Sequence, residues 1–447
     1  MKIYKKGNIK LKFPIWDKEH ECMPRAKIKE LQLERLKRLV RYCYDNSPYY
    51  KQKFDENKID PDKLRVLSDL KYLPFTSKVD MRDSYPTGMF GKPLKDIVRI
   101  HASSGTTGKP TVVGYTRADL DNWAEMVARI TYSVGANEDT IVQIAFGYGL
   151  FTGALGLHYG LEKIGATVIP TSTGNSEKQL MFMRDFKTDT LVSTPSYALY
   201  LAELAKDLGY PMSDYNLKLG LLGSEGCTAE MRQKIEDGWG MFVTDNYGLS
   251  EVCGPGMSGE CPLRRGLHIS EDHFICEIID PITLEPVEEG EEGELVVTTL
   301  TKEGIPMLRY RTKDLTRITY EKCECGRTTA RMEKIKGRSD DMLKIKGVNV
   351  FPSQVESVLM GDKGVSPHYQ LVVRREGFTD TLEIRVEITD ESILDKFTEL
   401  ETMQKQIRHK LGVVLGLDAK VTLVPKNSIE RFQGKAKRVL DLRNENK

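Results

Sequence analysis

Ser103-Ser104-Gly105-Thr106-Thr107-Gly108-Lys109-Pro110-Thr111 follows a short apolar run at Ile97 to Ile100. Glycines let the backbone come close to a ligand, and hydroxyls with amide N–H groups then cradle phosphate oxygens. The spacing excludes the common phosphate loop, which needs four residues between its glycines and Ser or Thr directly after the lysine. Here only Thr106 and Thr107 separate Gly105 from Gly108, and Pro110 follows Lys109.

Downstream, Thr116-Arg117-Ala118-Asp119 reads as a helix capping box. Leu120, Trp123, Met126, Val127 and Ile130 follow at helical spacing. Strand candidates at 140–146, 167–170, 190–193, 218–222 and 241–244 alternate with helical stretches as far as about Gly248. That alternation predicts a parallel α/β sheet, whose ligands bind beyond the carboxyl ends of the strands. The Gly-rich segments 146–153, 223–226 and 246–248 fall at those ends.

Upstream, residues 27–45 place Leu36, Leu39, Val40 and Cys43 on one helical face. From 273 to 320 the pattern changes to short β-prone runs at 274–279, 293–300 and 315–320, which predict a smaller β subdomain. Beyond Gly337 a strand at 342–345, a helix after Pro352, strands at 370–374 and 382–388, and a helix at 394–411 predict a small α+β unit. The expected fold class is α/β. A large N-terminal parallel-sheet domain over 1–339 carries the β subdomain at about 273–337, and a small α+β domain occupies 340–447.

The 447 residues include 66 basic and 65 acidic side chains. So even a balance disfavours a nucleic-acid or acidic-lipid surface. The basic stretch 1–13 has no apolar run behind it, and no run of 18 apolar residues exists, so neither a secretory signal nor a membrane span is expected. Eight cysteines in a chain of this length argue for reduced thiols or a metal site. The expected compartment is the cytoplasm.

Four further islands follow the Ser/Thr/Gly loop. They are Asn246-Tyr247-Gly248-Leu249-Ser250-Glu251, Tyr310-Arg311-Thr312-Lys313-Asp314-Leu315, the segment from Gly337-Arg338-Ser339-Asp340 to Lys344-Ile345-Lys346-Gly347, and Gly434-Lys435-Ala436-Lys437-Arg438. In this order they resemble the core motifs of the adenylate-forming superfamily, which includes acyl- and aryl-coenzyme A synthetases, luciferases and peptide-synthetase adenylation domains. The resemblance covers nearly the whole chain. Phe146-Gly147-Tyr148-Gly149-Leu150-Phe151-Thr152-Gly153, Thr299-Leu300-Thr301-Lys302-Glu303-Gly304 and Gly347-Val348-Asn349-Val350-Phe351-Pro352-Ser353 look like phenylacetate–coenzyme A ligases in particular. One departure is Arg431-Phe432-Gln433 before Gly434, where an acidic residue often stands.

The resemblance implies a ligase that turns an aryl acid, ATP and coenzyme A into the thioester, AMP and diphosphate. Phenylacetate is the first expectation, and indole-acetate, benzoate and hydroxylated analogues stay open. A carboxylate is a poor acylating agent because its leaving group would be oxide; a mixed anhydride with AMP removes that obstacle. Charge gathers on phosphoryl oxygens in the first transition state, so donors and a divalent cation are needed. Ser103, Ser104, Gly105, Thr106 and Thr107 are expected around the phosphates, with Thr106 counted among the catalytic residues. Glu251 is the expected magnesium ligand, a hard oxygen for a hard cation. Asp314 is expected on the ribose hydroxyls with Arg338 nearby. Ser224, Glu225, Gly226, Asp245, Asn246, Tyr247 and Gly248 are expected around the adenine. Lys435 is the expected catalytic lysine, bridging the attacking carboxylate and the α-phosphate.

For the thioester step the family's C-terminal domain rotates about a hinge, matched here by Asp340, after which Lys346 and Gly347 would face coenzyme A. Phe146, Tyr148, Phe151 and Gly226 are expected in the acyl pocket. A homodimer is expected from the family's habit. Two rival readings are an adenylating enzyme that passes its acyl group to a carrier protein or a sugar, and a non-catalytic AMP-binding regulator.

Cys323-Glu324-Cys325-Gly326 lies in a polar turn, with Cys253, Cys261 and His268 upstream. Thiolates from a tight turn plus two distant ligands suit tetrahedral zinc. Five residues compete for four places; the expected set is Cys253, His268, Cys323 and Cys325, with Cys261 in reserve. His273, Cys22, Cys43, Cys227 and Cys276 read as packing or surface residues.

Overall fold

A computed structural model of the chain describes residues 13–103, 109–339, 343–345, 348–362, 364–376, 379–394, 396–430 and 438–443. Four helices come first: α1 (Lys18–Glu21), α2 (Arg25–Asn46), α3 (Pro48–Glu56) and α4 (Lys78–Asp83). The apolar face read from the sequence is real, since Leu36, Leu39, Val40 and Cys43 of α2 are buried. An antiparallel pair, β1 (Arg99–Ala102) and β2 (Val112–Tyr115), flanks the Gly-rich segment on either side.

The alternating stretch then runs α5 (Arg117–Ser133), β3 (Ile141–Ile144), α6 (Gly153–Lys163), β4 (Thr167–Ile169), α7 (Ser176–Asp185), β5 (Thr190–Ser193), α8 (Pro195–Asp207), β6 (Leu219–Gly223), α9 (Ala229–Trp239) and β7 (Phe242–Leu249). The capping box at α5 forms as expected: Thr116 Oγ1 accepts the Asp119 N–H at 3.1 Å and Asp119 Oδ2 accepts the Thr116 N–H at 2.9 Å. Such a cap is worth about 1 kcal/mol.

Strands β8 (Gly254–Glu260) and β9 (Leu267–Ile269) extend this sheet, as do β13 (Ile318–Thr319) and β14 (Arg331–Met332) from later in the chain. The order is β13-β14-β9-β8-β7-β6-β5-β3-β4. Strands β7, β6, β5, β3 and β4 pair in parallel, and the four beyond β7 pair antiparallel. The sequence reading anticipated the parallel half only. Residues 246–248, expected at the end of the 241–244 strand, are themselves strand: Asn246 pairs with Gly223 on one side and Gly259 on the other. Strand β8 hides because it reads Gly-Pro-Gly-Met-Ser-Gly-Glu, without a β-prone pattern. Its glycines have a packing cause. A Cβ at Gly254, Gly256 or Gly259 would lie 2.3, 2.7 and 2.7 Å from Trp123, Val127 and Ile130, so only glycine lets α5 rest on this strand.

The β subdomain comprises β10 (Phe274–Ile279), β11 (Gly293–Thr299), β12 (Tyr310–Thr316) and β15 (Gly337–Arg338) in an antiparallel sheet. The strand expected at 315–320 is displaced: β12 ends at Thr316, and β13 crosses to the large sheet.

The C-terminal part holds the hairpin β16 (Leu343–Ile345) and β17 (Val348–Val350), α10 (Pro352–Met360), β18 (Val365–Glu376), β19 (Thr379–Ile388), α11 (Phe397–Leu415), β20 (Lys420–Val424) and β21 (Val439–Asp441). Its sheet runs β20-β19-β18-β21. Buried residues of this part, among them Val355, Leu359, Val365 and Leu371, share one apolar cluster with Leu199, Met231 and Ile235 of α8 and α9. Two polar contacts rim that seam: the Lys426–Asp207 ion pair at 2.8 Å, and His368 Nε2 at 3.5 Å from a Glu203 carboxylate oxygen. Among the described residues no helix is long and apolar enough to cross a membrane.

Candidate active site

The parallel strands bring their carboxyl ends together at 223–226 and 245–251. Asn246 Nδ2 donates to the Leu222 carbonyl at 2.9 Å, which locks the end of β7 to the end of β6. Ser224 takes a left-handed φ of 75°, a strained setting for a side chain that bears a Cβ. Glu225 is committed locally: its Oε1 accepts the Ser196 N–H at 2.7 Å at the start of α8. Gly226 has open space where a Cβ would stand.

Asp245 is half-buried, and loss of solvent around it pushes its carboxyl up to about 6 despite Lys334 at 3.6 Å. Tyr247 donates its hydroxyl to Asp314 Oδ2 at 2.5 Å, and Arg338 Nη1 meets Asp314 Oδ1 at 3.1 Å. Asp314 and Arg338 are register partners on β12 and β15, whereas Tyr247 belongs to β7 of the large sheet. This carboxylate therefore fastens the β subdomain to the large sheet where the nucleotide residues were expected. A charge-assisted bond of this kind contributes roughly 1.5–3 kcal/mol.

Glu251 follows β7 and is buried, with Oε1 3.5 Å from Lys78 Nζ. The turn it occupies is held by its backbone. Tyr115 Oη donates to the Cys253 carbonyl at 3.0 Å, and Lys302 Nζ donates to the Glu251 carbonyl at 3.2 Å. Lys302 lies 4.7 Å from the Tyr115 ring centroid, and burial pushes its ammonium down to about 8. The Ser250 and Thr152 hydroxyls meet at 2.7 Å, tying this turn to the 146–153 loop. That loop is also tied to β1, because the Leu150 carbonyl accepts the Ala102 N–H at 3.0 Å and lies 3.0 Å from His101 Nδ1. Ser103 N–H donates to the Thr111 carbonyl at 3.0 Å, closing the base of the Gly-rich segment.

The expected acyl-pocket aromatics have different surroundings. Phe146 is a member of the main core, Tyr148 Oη is 3.0 Å from His158 Nδ1, and Phe151 is exposed. Ser104, Gly105, Thr106, Thr107, Asp340, Lys346, Gly347 and Lys435 lie outside the described residues. Sequence reasoning missed Lys78 and the role of Lys302. The second stood inside the quoted 299–304 motif; the first carries no signal beyond following Ser77 at the start of α4.

A separate cluster joins Cys261, His268, Cys323 and Cys325, whose ligand atoms all lie within 4.8 Å of one another. This corrects the expected set, in which Cys253 stood for Cys261. Cys253 and Cys261 flank opposite ends of β8, roughly 25 Å apart along an extended strand. His268 pairs with Gly259, at the Cys261 end. Cys253 instead donates its thiol to the Gly254 carbonyl at 3.2 Å, and burial pushes that thiol up to about 12. The cluster therefore sits at the far end of β8 from Glu251. Its dimensions suit zinc: bonds of about 2.3 Å to sulfur and 2.0 Å to nitrogen at tetrahedral angles separate two sulfurs by about 3.8 Å and sulfur from nitrogen by about 3.5 Å. Cys261 Sγ and Cys323 Sγ are 3.9 Å apart, and Cys325 Sγ and His268 Nε2 are 3.4 Å apart. His268 Nδ1 is 3.0 Å from the Thr329 hydroxyl, which leaves Nε2 free to ligate. Among these crowded thiols, hydrogen bonds between neighbours push the Cys325 thiol down and the Cys261 thiol up.

Residues 21–301 match the AMP-binding enzyme family, and residues 347–443 match the AMP-binding enzyme C-terminal domain. The chain is 48% identical to a phenylacetate–coenzyme A ligase of Thermus thermophilus over 96% of its own length and 100% of that protein. It is 48% identical to a phenylacetate–coenzyme A ligase of Escherichia coli over 93% of itself and 95% of that protein. A crystal structure of 2-hydroxyisobutyryl-CoA ligase in its postadenylation state, with the acyl-AMP bound, superposes with a TM-score of 0.90 at 31% identity, covering 96% of this chain and 92% of the other. The same ligase in its thioesterification state gives 0.72, covering 96% and 93%.

Proposed function

The chain belongs to the AMP-binding enzyme family, in the company of phenylacetate–coenzyme A ligases, and from this we propose that it joins phenylacetate to coenzyme A with ATP, releasing AMP and diphosphate. It is an acid–thiol ligase that works through an acyl-adenylate. A carboxylate oxygen attacks the α-phosphorus and diphosphate leaves; the thiol sulfur then attacks the acyl carbon and AMP leaves. The observation that carries the reading is the Asp314 clasp. Its carboxylate, held by Tyr247 and Arg338 between two sheets, is preorganised to accept ribose hydroxyls beside the strand ends that would line an adenine.

The roles follow from that frame. Ser103 to Thr107 would surround the phosphates, and Ser224 to Gly226 with Asp245 to Gly248 would enclose the base. Glu251 would hold magnesium, which neutralises phosphate charge when bound. Lys435 would stabilise charge on the α-phosphate. Phe146, Tyr148, Phe151 and Gly226 would form the acyl side, with Gly226 supported most directly by its open flank. The boundary between the two units falls at 339/340, with Asp340 as hinge and Lys346 and Gly347 facing coenzyme A after rotation. The higher similarity to the postadenylation state supports an arrangement that precedes this rotation.

Zinc would occupy Cys261, His268, Cys323 and Cys325 as a structural ion, because all four positions are filled by protein. A homodimer and a cytoplasmic setting complete the reading; cysteines without disulfide partners accord with a reducing compartment. Diphosphate release measured across a panel of aryl and fatty acids, with and without coenzyme A, tests the function. Phenylacetate is expected to head the panel and to yield a thioester. Diphosphate release without thioester on adding coenzyme A would refute the second half-reaction.

A further inference from the structure

Helix α8 ends where Gly209 takes a left-handed φ of 72°, which turns the chain back through Tyr210-Pro211-Met212 toward β6. In the C-terminal unit, strand β18 breaks register between Val365 and Tyr369, and Pro367 occupies the break, where its missing N–H costs no ladder bond. These elements enclose a cavity of about 530 Å³. Leu199 and Ala202 of α8, Met212 after it, and Val365 and Pro367 of β18 line it, so both units build its walls. A volume of that size takes a drug-sized molecule with an apolar body, more than a single-ring acid fills. Among the described residues that line it, none was assigned above to the nucleotide, the acyl group, coenzyme A or the metal.

Two ammonium groups stand at this cavity, Lys206 of α8 and Lys234 of α9. Neither has a carboxylate oxygen within 4.0 Å among the described residues. The acids around them have other partners. Glu203, which also lines the cavity, lies 3.5 Å from His368 Nε2; Asp362 meets Lys410 at 2.8 Å, and Asp207 meets Lys426 at 2.8 Å. Lys234 is half-buried, and loss of solvent pushes its ammonium down against the pull of Glu203 and Asp362. A carboxylate entering beside it supplies the counter-charge that solvent no longer gives. Two lysines against one glutamate leave the lining with one net positive charge, which matches a monoanion on an apolar body and not a polyphosphate.

We propose that this cavity is a regulatory site for a fatty-acid-type carboxylate, with its hydrocarbon body against Leu199, Met212, Val365 and Pro367 and its carboxylate between Lys206 and Lys234. The occupant touches both units at once, so it holds them in this posture and opposes the swivel that precedes the thioester step. This rests on the reading that the C-terminal unit rotates between the half-reactions. A ligand bound by one posture alone, at roughly ten times its Kd, lowers the population of the other roughly tenfold.

Dodecanoate tests the site, titrated calorimetrically into the full-length protein with its acyl site filled by a phenylacetyl sulfamoyl-adenosine, a stable mimic of the adenylate. One dodecanoate per chain is expected. Lys234→Glu and the cavity-filling Met212→Trp are each expected to weaken it at least about tenfold while melting with the wild type. At roughly ten times the wild-type Kd, thioester formation from supplied phenylacetyl-adenylate and coenzyme A is expected to slow roughly tenfold, with diphosphate release at saturating phenylacetate kept within about twofold. Lys234→Glu is expected to escape this selective inhibition and to keep the KM for coenzyme A. Absence of binding to the wild type, undiminished binding by both variants, or equal slowing of the two steps overturns the proposal. So does a raised KM for coenzyme A in Lys234→Glu, which would make the cavity part of the coenzyme A path. A Lys435→Ala protein that loses both half-reactions equally refutes the rotation instead, and the calorimetry still decides whether the site exists.

Discussion

Replacing Cys261 with serine tests the metal centre where the geometry and the sequence part company. The structure puts the Cys261 and Cys323 sulfurs 3.9 Å apart and leaves Cys253 bonded to the Gly254 carbonyl at the other end of β8. Structural zinc contributes about 10–16 kcal/mol in small zinc domains, so one of four ligands carries roughly 3 kcal/mol. Unfolding entropy of about 2.1 cal/mol/K per residue gives about 0.9 kcal/mol/K over 447 residues, so the melting temperature should fall by about 3 °C. The assay is metal content by mass spectrometry alongside thermal melting, with and without a chelator. Wild type and Cys253→Ser are expected to hold one zinc per chain; Cys261→Ser is expected to hold it more weakly, to give it up to the chelator more readily, and to melt lower without chelator. Full zinc in Cys261→Ser with loss in Cys253→Ser would refute the geometry, and wild-type protein free of zinc and indifferent to chelation would remove the centre.

Asp314→Asn should raise the KM for ATP roughly 10–100-fold through loss of a charge-assisted acceptor, read in a diphosphate-release assay; an unchanged KM would detach the clasp from the nucleotide. Lys435→Ala should slow adenylate formation roughly 10²–10³-fold yet spare thioester formation from supplied adenylate, and equal losses in single-turnover measurements of the two steps would count against it. His273 is buried, and burial pushes its imidazole down to about 4 from 6.5. A base whose folded value lies below its unfolded value takes up protons on unfolding, so stability is fully present above about pH 6.5 and is lost as pH falls toward 4, by up to about 3 kcal/mol. Urea midpoints between pH 4 and 7 should show that slope in wild type and a flatter one in His273→Gln; parallel curves would reject the assignment.

The large parallel sheet was legible because each strand and helix carries its own periodicity, and the 190–193 strand appears over the same residues. The antiparallel half was not, because β8 gains its place from α5 pressing on Gly254, Gly256 and Gly259, a tertiary cause invisible to a local pattern. Strands β20 and β21 also escaped, since each pairs with partners distant in the chain. Among site residues, motif order singled out Tyr247, Asp314 and Arg338 together, and the fold brings these three into contact. The choice among five metal-ligand candidates failed at Cys253 because sequence alone does not say which end of a strand faces a histidine.

The apolar seam between α8, α9 and the C-terminal unit has a thermodynamic corollary. Any swivel of that unit must wet this seam and break the Lys426–Asp207 and His368–Glu203 contacts. Wetting hydrocarbon raises heat capacity. The equilibrium between the two postures should therefore curve with temperature, and added salt should tilt it by loosening the rim while sparing the oily middle.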